Sequence, residues 1–336
     1  MHIFPTEKRN FAYCVRCSVN ISSIFNSAYA IKSDGTVWAW GANLFGQLGD
    51  GTITNRSTPV QVKEDVAIVL TDVVSVSAGY YYALFLKSDG TVWSCGYNYS
   101  GQLGNGTTSN TSYATQVNGI NDVVHISAGT SHSMAVESDG TAWAWGENNR
   151  GQLGDGTKIN RLSPVMVNGL SDAKMVASGS QCSFALKSDG TVFSWGYFPA
   201  LGVNSANSLT DSLIPVQINK LRNIKSITSG ATCNVSVAIT PDGSAWAWGS
   251  DMYPHLGFGD TPFRVYMPIK INEPEKKSTV EPYQFSAVFE IDQDQIRFLG
   301  MESFQGDENN LEWFLDFPWS LFIASLVPFI TMVGMR

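Results

Sequence analysis

Histidine is scarce: four residues in 336, at positions 2, 125, 132 and 255. They form no spaced cluster, so a histidine-rich metal centre and a histidine acid–base pair are both disfavoured. His132 precedes an apolar run and is expected to make a structural hydrogen bond. Basic residues are also few, 21 against 29 carboxylates, for a net charge of −8. The densest basic groups are Lys8-Arg9, Lys276-Lys277 and the stretch from Lys220 to Lys225. Such scatter disfavours nucleic acid as a partner, because affinity for phosphates needs clustered cations. The five cysteines, Cys14, Cys17, Cys95, Cys182 and Cys233, are odd in number and form no disulfide framework. Cys14 and Cys17 have zinc-like spacing, but no second pair and no nearby histidine follow. Cys182 and Cys233 each stand three residues after a glycine and read as small buried apolar groups. Residues 1–20 carry charge and no apolar run, so they do not read as a signal peptide. No stretch has helical periodicity, and no nucleophile elbow or isolated carboxylate pair is found.

Against these absences stands a repeat. Ser33-Asp34-Gly35-Thr36-Val37-Trp38-Ala39-Trp40-Gly41 and the segment from Ser138 to Gly146 are nearly one peptide. The unit recurs from Ser88 to Gly96, from Ser188 to Gly196 and, with a changed start, from Pro241 to Gly249. The closing glycines at 41, 96, 146, 196 and 249 are 55, 50, 50 and 53 residues apart. A fixed period of this size means a repeat architecture.

One unit can be read in detail. Val124 to Gly129 is a short run, then Ser133 to Glu137, then Asp139-Gly140, then Thr141 to Trp145. Two alternating runs joined by Asp-Gly predict a β-hairpin, with the glycine at positive φ. Gly35, Gly90, Gly190 and Gly243 take the same place as Gly140. Trp143 and Trp145 are two apart and point to one side of their strand. Pro164 to Val167 reads as a last strand opening on proline. This gives about four strands per ~50 residues, the signature of a propeller blade. Trp40, Trp145, Trp195 and Trp248 are expected to fill the contacts between blades, since a core role explains every copy at once. Cys95 and Phe193 fill the two gaps in the tryptophan pattern. The alternative, an aromatic stacking platform, would have to explain all copies too. Asp34, Asp89, Asp139, Asp189 and Asp242 are read as turn formers, not as ligands or acids. Gly46 to Thr52 superficially resembles a phosphate loop. It lacks the lysine, leads into a polar turn and recurs, so it is structural.

The blocks Ala78-Gly79, Ala83-Leu84, Asp89 to Trp93, Gly96, Asn98 and Gly101-Gln102-Leu103-Gly104 resemble the regulator of chromosome condensation repeat. Gly-Gln-Leu-Gly follows the tryptophan unit at 46–49, 101–104 and 151–154. The fourth copy departs, with Pro199-Ala200-Leu201-Gly202, and the fifth has His255-Leu256-Gly257. The resemblance implies an all-β propeller, seven-bladed in the family's best-known member. That member is a nucleotide exchange factor for a small GTPase that also binds nucleosomes. Five clear four-stranded blades and one degenerate blade are expected here. No long insertion interrupts a blade, so the protruding wedge an exchange factor usually needs is not seen.

The expected organisation is an N-terminal strand or extension over 1–19, a five-repeat propeller over 20–271, a degenerate blade or linker over 272–310 and an apolar tail over 311–336. In the degenerate copy Asp292-Gln293-Asp294 replaces the glycine turn, with Ile296 and Phe298 where the tryptophan pair would fall. Phe317 to Met335 carries no charge and nears a bilayer span. It reads as a membrane contact or as a cover for the end of the ring. The sequence leaves its location open between the cytoplasm and association with a membrane through this tail. The functional expectation is a non-enzymatic protein-binding scaffold without cofactor, its partner bound by loops that vary between blades. Asn55, Arg56, Asn110, Arg161 and Asn207 are the candidate partner-binding residues. The alternatives are nucleotide exchange on a small GTPase, and a glycan- or cell-envelope-binding module.

Overall fold

The structure, a computed structural model, describes residues 21–24, 26–203, 210–230, 234–250, 264–271, 284–292 and 295–305. The chain divides into two compact units, residues 1–269 and 270–336. The first contains five four-stranded antiparallel sheets, each with its strands in chain order. The first sheet is β1 (Ile21–Ile24), β2 (Ser27–Ile31), β3 (Val37–Gly41) and β4 (Arg56–Gln61). The second is β5 (Val73–Gly79), β6 (Tyr82–Lys87), β7 (Val92–Gly96) and β8 (Thr111–Gln116). The third is β9 (Val123–Ala128), β10 (His132–Glu137), β11 (Ala142–Gly146) and β12 (Arg161–Met166). The fourth is β13 (Ala173–Ser178), β14 (Cys182–Lys187), β15 (Val192–Gly196) and β16 (Ser212–Gln217). The fifth is β17 (Ser226–Ser229), β18 (Asn234–Ile239), β19 (Ala245–Ser250) and β20 (Arg264–Lys270). These are the blades of a β-propeller.

In the second unit the described residues form a two-stranded hairpin, β21 (Gln284–Asp292) with β22 (Gln295–Gln305). Its register closes on Asp292 opposite Gln295. The turn residues Gln293 and Asp294, the segment 1–20 with Cys14 and Cys17, and the tail 311–336 lie outside the described residues. So do His255, Cys233 and Asn207. Among the described residues no helix is long and apolar enough to cross a membrane.

The hairpin turns explain the Asp-Gly pairs. Gly140 has φ +87°, and its counterparts Gly35, Gly90, Gly190 and Gly243 lie between +79° and +84°. The turn aspartates serve the backbone: Asp139 Oδ1 accepts from Thr141 N–H at 2.8 Å, and Asp89 Oδ1 accepts from Thr91 N–H at 2.9 Å. The turn also reaches the next blade, because the Gly140 carbonyl accepts from Ala173 N–H at 3.0 Å.

Second strands are buried along nearly their whole length, in β6, β10 and β14 alike. A strand covered on both faces by neighbouring sheets has no polar face to alternate with. The apolar clusters therefore lie between sheets. One joins Tyr29, Val37 and Leu48 to Val76, Phe85 and Cys95; the next joins Tyr82, Leu84 and Leu103 to Ile126, Ala135 and Trp145. A third joins Met134 and Leu153 to Ala185 and Trp195.

Three further kinds of hydrogen bond recur between adjacent blades. A serine of the first strand accepts a backbone N–H of the following first strand: Ser22 from Ala78, Ser77 from Ala128 and Ser127 from Ser178, each at 2.9 Å. A loop glycine donates to the next outer strand: Gly51 to Ser112, Gly106 to Leu162 and Gly156 to Leu213, at 2.8–3.0 Å. A tryptophan donates backwards: Trp145 Nε1 to the Gln102 carbonyl and Trp195 Nε1 to the Gln152 carbonyl, both at 2.9 Å, and Trp248 Nε1 to the Ala200 carbonyl at 3.0 Å. Each indole lies over a loop glycine. A Cβ on Gly104, Gly154 or Gly202 would come 2.7 Å from the indole nitrogen.

Two details depart from the expectation. Trp145, Trp195 and Trp248 are fully buried, but Trp40 is half-buried. The others insert under the loop of a preceding sheet, and among the described residues no sheet precedes the first. The last strand of the third sheet begins at Arg161, three residues before Pro164. Pro164 sits in the register shift between the Ala144–Val165 and Gly146–Arg161 pairs, on an edge strand, where its missing N–H breaks no ladder bond.

Candidate partner-binding face

The turn between the first and second strands and the loop between the third and fourth open on the same end of each antiparallel blade. Hairpin turns such as Asp139-Gly140 lie at the opposite end. In the first three blades the long loop is held from inside by one asparagine. Asn43 is fully buried. Its amide nitrogen donates to Asp50 Oδ1 and to the Thr52 and Thr54 carbonyls, each at 3.1 Å. Its Oδ1 accepts from Leu48 N–H at 2.9 Å. Asn98 repeats this with Asn105, Thr107, Ser109 and Leu103, and Asn148 with Asp155, Thr157, Ile159 and Leu153. In the fourth blade Phe198 replaces the asparagine, and the loop turns through a short 3-10 segment, Phe198–Ala200.

Asn55, Asn110, Arg56 and Arg161 all sit on this face, and each is engaged within its own loop. Asn55 Oδ1 accepts from Asn43 N–H at 2.8 Å, and Asn110 Oδ1 accepts from Asn98 N–H at 2.9 Å. Arg56 pairs with Asp50 at 2.6 Å and Arg161 with Asp155 at 2.7 Å. Burial pushes the Asp50 and Asp155 carboxyls up. Bonds from Thr52 and Arg56, and from Thr157 and Arg161, more than offset it, so both stay below the usual carboxylate range. These four side chains brace the loops.

What the loops present outward is different in each blade. Leu44, Ile53, Tyr99 and Ile159 are 61–76% exposed. At the junction of the first and second blades aromatic rings gather. Phe45 lies 5.0 Å from Tyr81 and 4.9 Å from Tyr97, ring centre to ring centre. Tyr99 stacks on Tyr97 at 6.5 Å and 14°, and Tyr80 lies 4.2 Å from Tyr81. Sequence reading passed over this cluster because none of its members belongs to the repeat. The signal lay in the departures: Phe45, Ser100 and Arg150 occupy one repeat position, and Tyr81, Ser131 and Gln181 another.

One pairing invites a catalytic reading. His132 Nε2 lies 2.9 Å from Ser183 Oγ. Ser183 donates its only proton to the Gln152 carbonyl at 2.7 Å, so the hydrogen-bond network assigns the imidazole proton to Nε2, donating to Ser183. Both residues are fully buried. Burial pushes the His132 pKa down to about 3. The pair ties two blades together, as Tyr82 Oη does by donating to the His132 carbonyl at 2.6 Å. Cys95 takes a tryptophan's place in the second blade, its thiol donating to the Gln47 carbonyl at 3.2 Å. Among the described residues no group of three or more His, Cys, Asp or Glu is placed to hold a metal ion.

A family model described as an RCC1-like domain matches residues 6–288. Over 92 residues the chain is 35% identical to the X-linked retinitis pigmentosa GTPase regulator homolog of Caenorhabditis elegans, covering 27% of this chain and 6% of that protein. Over 95 residues it is 34% identical to the ultraviolet-B receptor UVR8 of Arabidopsis thaliana, covering 28% of this chain and 20% of that one. The chain thus matches a fifth or less of the length of these relatives. Among solved structures, human WBSCR16 aligns with a TM-score of 0.66 at 26% identity, over 76% of this chain and 67% of that one. Yeast RCC1 (Prp20), solved bound to Kap60, aligns with a TM-score of 0.66 at 22% identity, over 77% of this chain and 61% of that one.

Proposed function

The chain belongs to the RCC1-like domain family, and from that membership we propose that it is a non-enzymatic protein-binding β-propeller that engages its partner through the long-loop face. One observation carries the reading. Asn43, Asn98 and Asn148 hold these loops from within, while Leu44, Ile53, Tyr99 and Ile159 project from them exposed. A braced loop with an unshared outer surface loses little entropy on binding. Affinity capture with purified chain from the native cell tests it. Ile53→Arg with Ile159→Arg is expected to remove the specific partners, while Asp139→Arg, on the opposite face, retains them. The reverse pattern would overturn the assignment of the face.

A second reading is supported by the relatives' names. One is a GTPase regulator homolog, and the Prp20p structure is described with its binding to Gsp1p and histones. Nucleotide exchange on a small GTPase is tested by release of a fluorescent guanine nucleotide from a panel of such GTPases. Unchanged release rates across the panel would remove it.

A further inference from the structure

Tyr81 has φ +79°. The other non-glycine residues at positive φ, Asp72, Asp122, Asp172 and Asn223, share one repeat position, short polar side chains suited to that backbone. Tyr81 alone among the described residues is bulky and outside the repeat, and its counterparts Ser131 and Gln181 do not share the conformation. Strain of this kind is kept where function uses it. Here it accompanies the set of rings at Phe45, Tyr97 and Tyr99, with Leu44 and Tyr99 64% and 76% exposed beside them.

The chain itself shows what such rings take. At the equivalent junction of the third and fourth blades, Arg150 stands at the Phe45 position and Tyr197 at the Tyr97 position. The Arg150 guanidinium lies 5.2 Å from the Tyr197 ring centre and is anchored by Asp211 at 3.5 Å. Lys32, Lys87, Lys187 and Lys220 cover Trp38, Trp93, Phe193 and Trp246 in the same way, at 5.1–5.8 Å. Among the described residues no lysine or arginine is stacked on Phe45, Tyr97 or Tyr99. The aromatic faces there are electron-rich and the chain carries a net charge of −8.

We infer that the cluster of Phe45, Tyr97 and Tyr99 receives an arginine or lysine side chain from a basic segment of a protein partner. The inference rests on the protein-binding reading above and names the partner's chemistry. A fluorescently labelled heptapeptide of alternating glycine and arginine is the probe, read by anisotropy. Its citrulline counterpart has the same shape without the charge. The arginine peptide is expected to bind at least about tenfold more tightly than the citrulline peptide. Tyr99→Ala and Phe45→Ser, the latter restoring the residue of the second blade, are expected to lose about that factor, and Tyr99→Phe to keep it. Tyr99 is exposed, so its truncation leaves folding intact, and Asp122→Asn, which removes one carboxylate at the opposite end of the blades and installs the residue found at the same repeat position in Asn223, controls for general attraction to an acidic surface. Absence of binding by the wild type, equal binding of both peptides, or unchanged affinity in Tyr99→Ala and Phe45→Ser would each overturn it. If those two variants still capture the native partners that Ile53→Arg with Ile159→Arg loses, this inference falls while the platform stands. If Ile53→Arg with Ile159→Arg loses none, the platform falls instead.

Discussion

Trp145 fills the space between two blades and bonds the carbonyl of Gln102. Removing it leaves a large cavity and takes one of two bonds from that carbonyl, which still accepts from Ser133 Oγ at 2.7 Å. Trp145→Ala is expected to cost about 3–5 kcal/mol in a urea unfolding experiment, and Trp40→Ala distinctly less because Trp40 is only half-buried. At Gly140 a Cβ would lie 2.8 Å from Asp172 Cα, on top of a φ of +87°. Gly140→Val is therefore expected to lower the melting temperature far more than Thr141→Val, which adds no backbone strain. His132 gives a pH signature. Its folded pKa is about 3 against 6.5 unfolded, so below pH 6.5 the unfolded chain takes up a proton that the folded chain refuses. Its contribution is complete above pH 6.5 and is lost as pH falls from 6.5 toward 3, by up to about 1.4 kcal/mol per pH unit. His125, pushed down by burial to about 4, adds a second slope of the same sign. Denaturant titrations at pH 7 and pH 5 should show the loss, and His132→Cys, the fourth-blade residue, should roughly halve it. The tryptophans, turn glycines and turn aspartates could be read from sequence because each is repeated. The braces could not. Asn43 recurs two residues after its closing glycine, as Asn98 and Asn148 do, but nothing in a string separates an asparagine that binds a partner from one that binds its own loop.

At the scale of the element, the hairpin was the most legible part, since Asp-Gly between alternating runs allows few backbones. The outer strand was the least. Its start moved from Pro164 back to Arg161, because an edge strand pairs on one side and tolerates a proline that a central strand would not. The segment read as a degenerate blade shows, over its described residues, the single hairpin β21–β22. Two strands bury little apolar surface, and isolated hairpins are marginal. Amide exchange is expected to be faster in Gln284–Gln305 than in β10 and β11, where every strand is covered on both sides. Equal protection would mean that the hairpin has support outside the described residues.

At the scale of the molecule, the bonds described between blades all fall within residues 22–248. Deleting residues 312–336 is expected to leave one cooperative thermal transition, followed by circular dichroism at 205–230 nm or by tryptophan emission as a generic readout of about the same midpoint. A broad, non-cooperative melt would place the tail in the core.

The bonds between blades also have a direction. At each of the four described junctions the earlier blade offers a carbonyl beside a loop glycine and the later blade gives an indole or a thiol, as a plug meets a socket. No described junction refers to any blade but its two members. One joint therefore serves each described pair of neighbours, whatever their place in the chain.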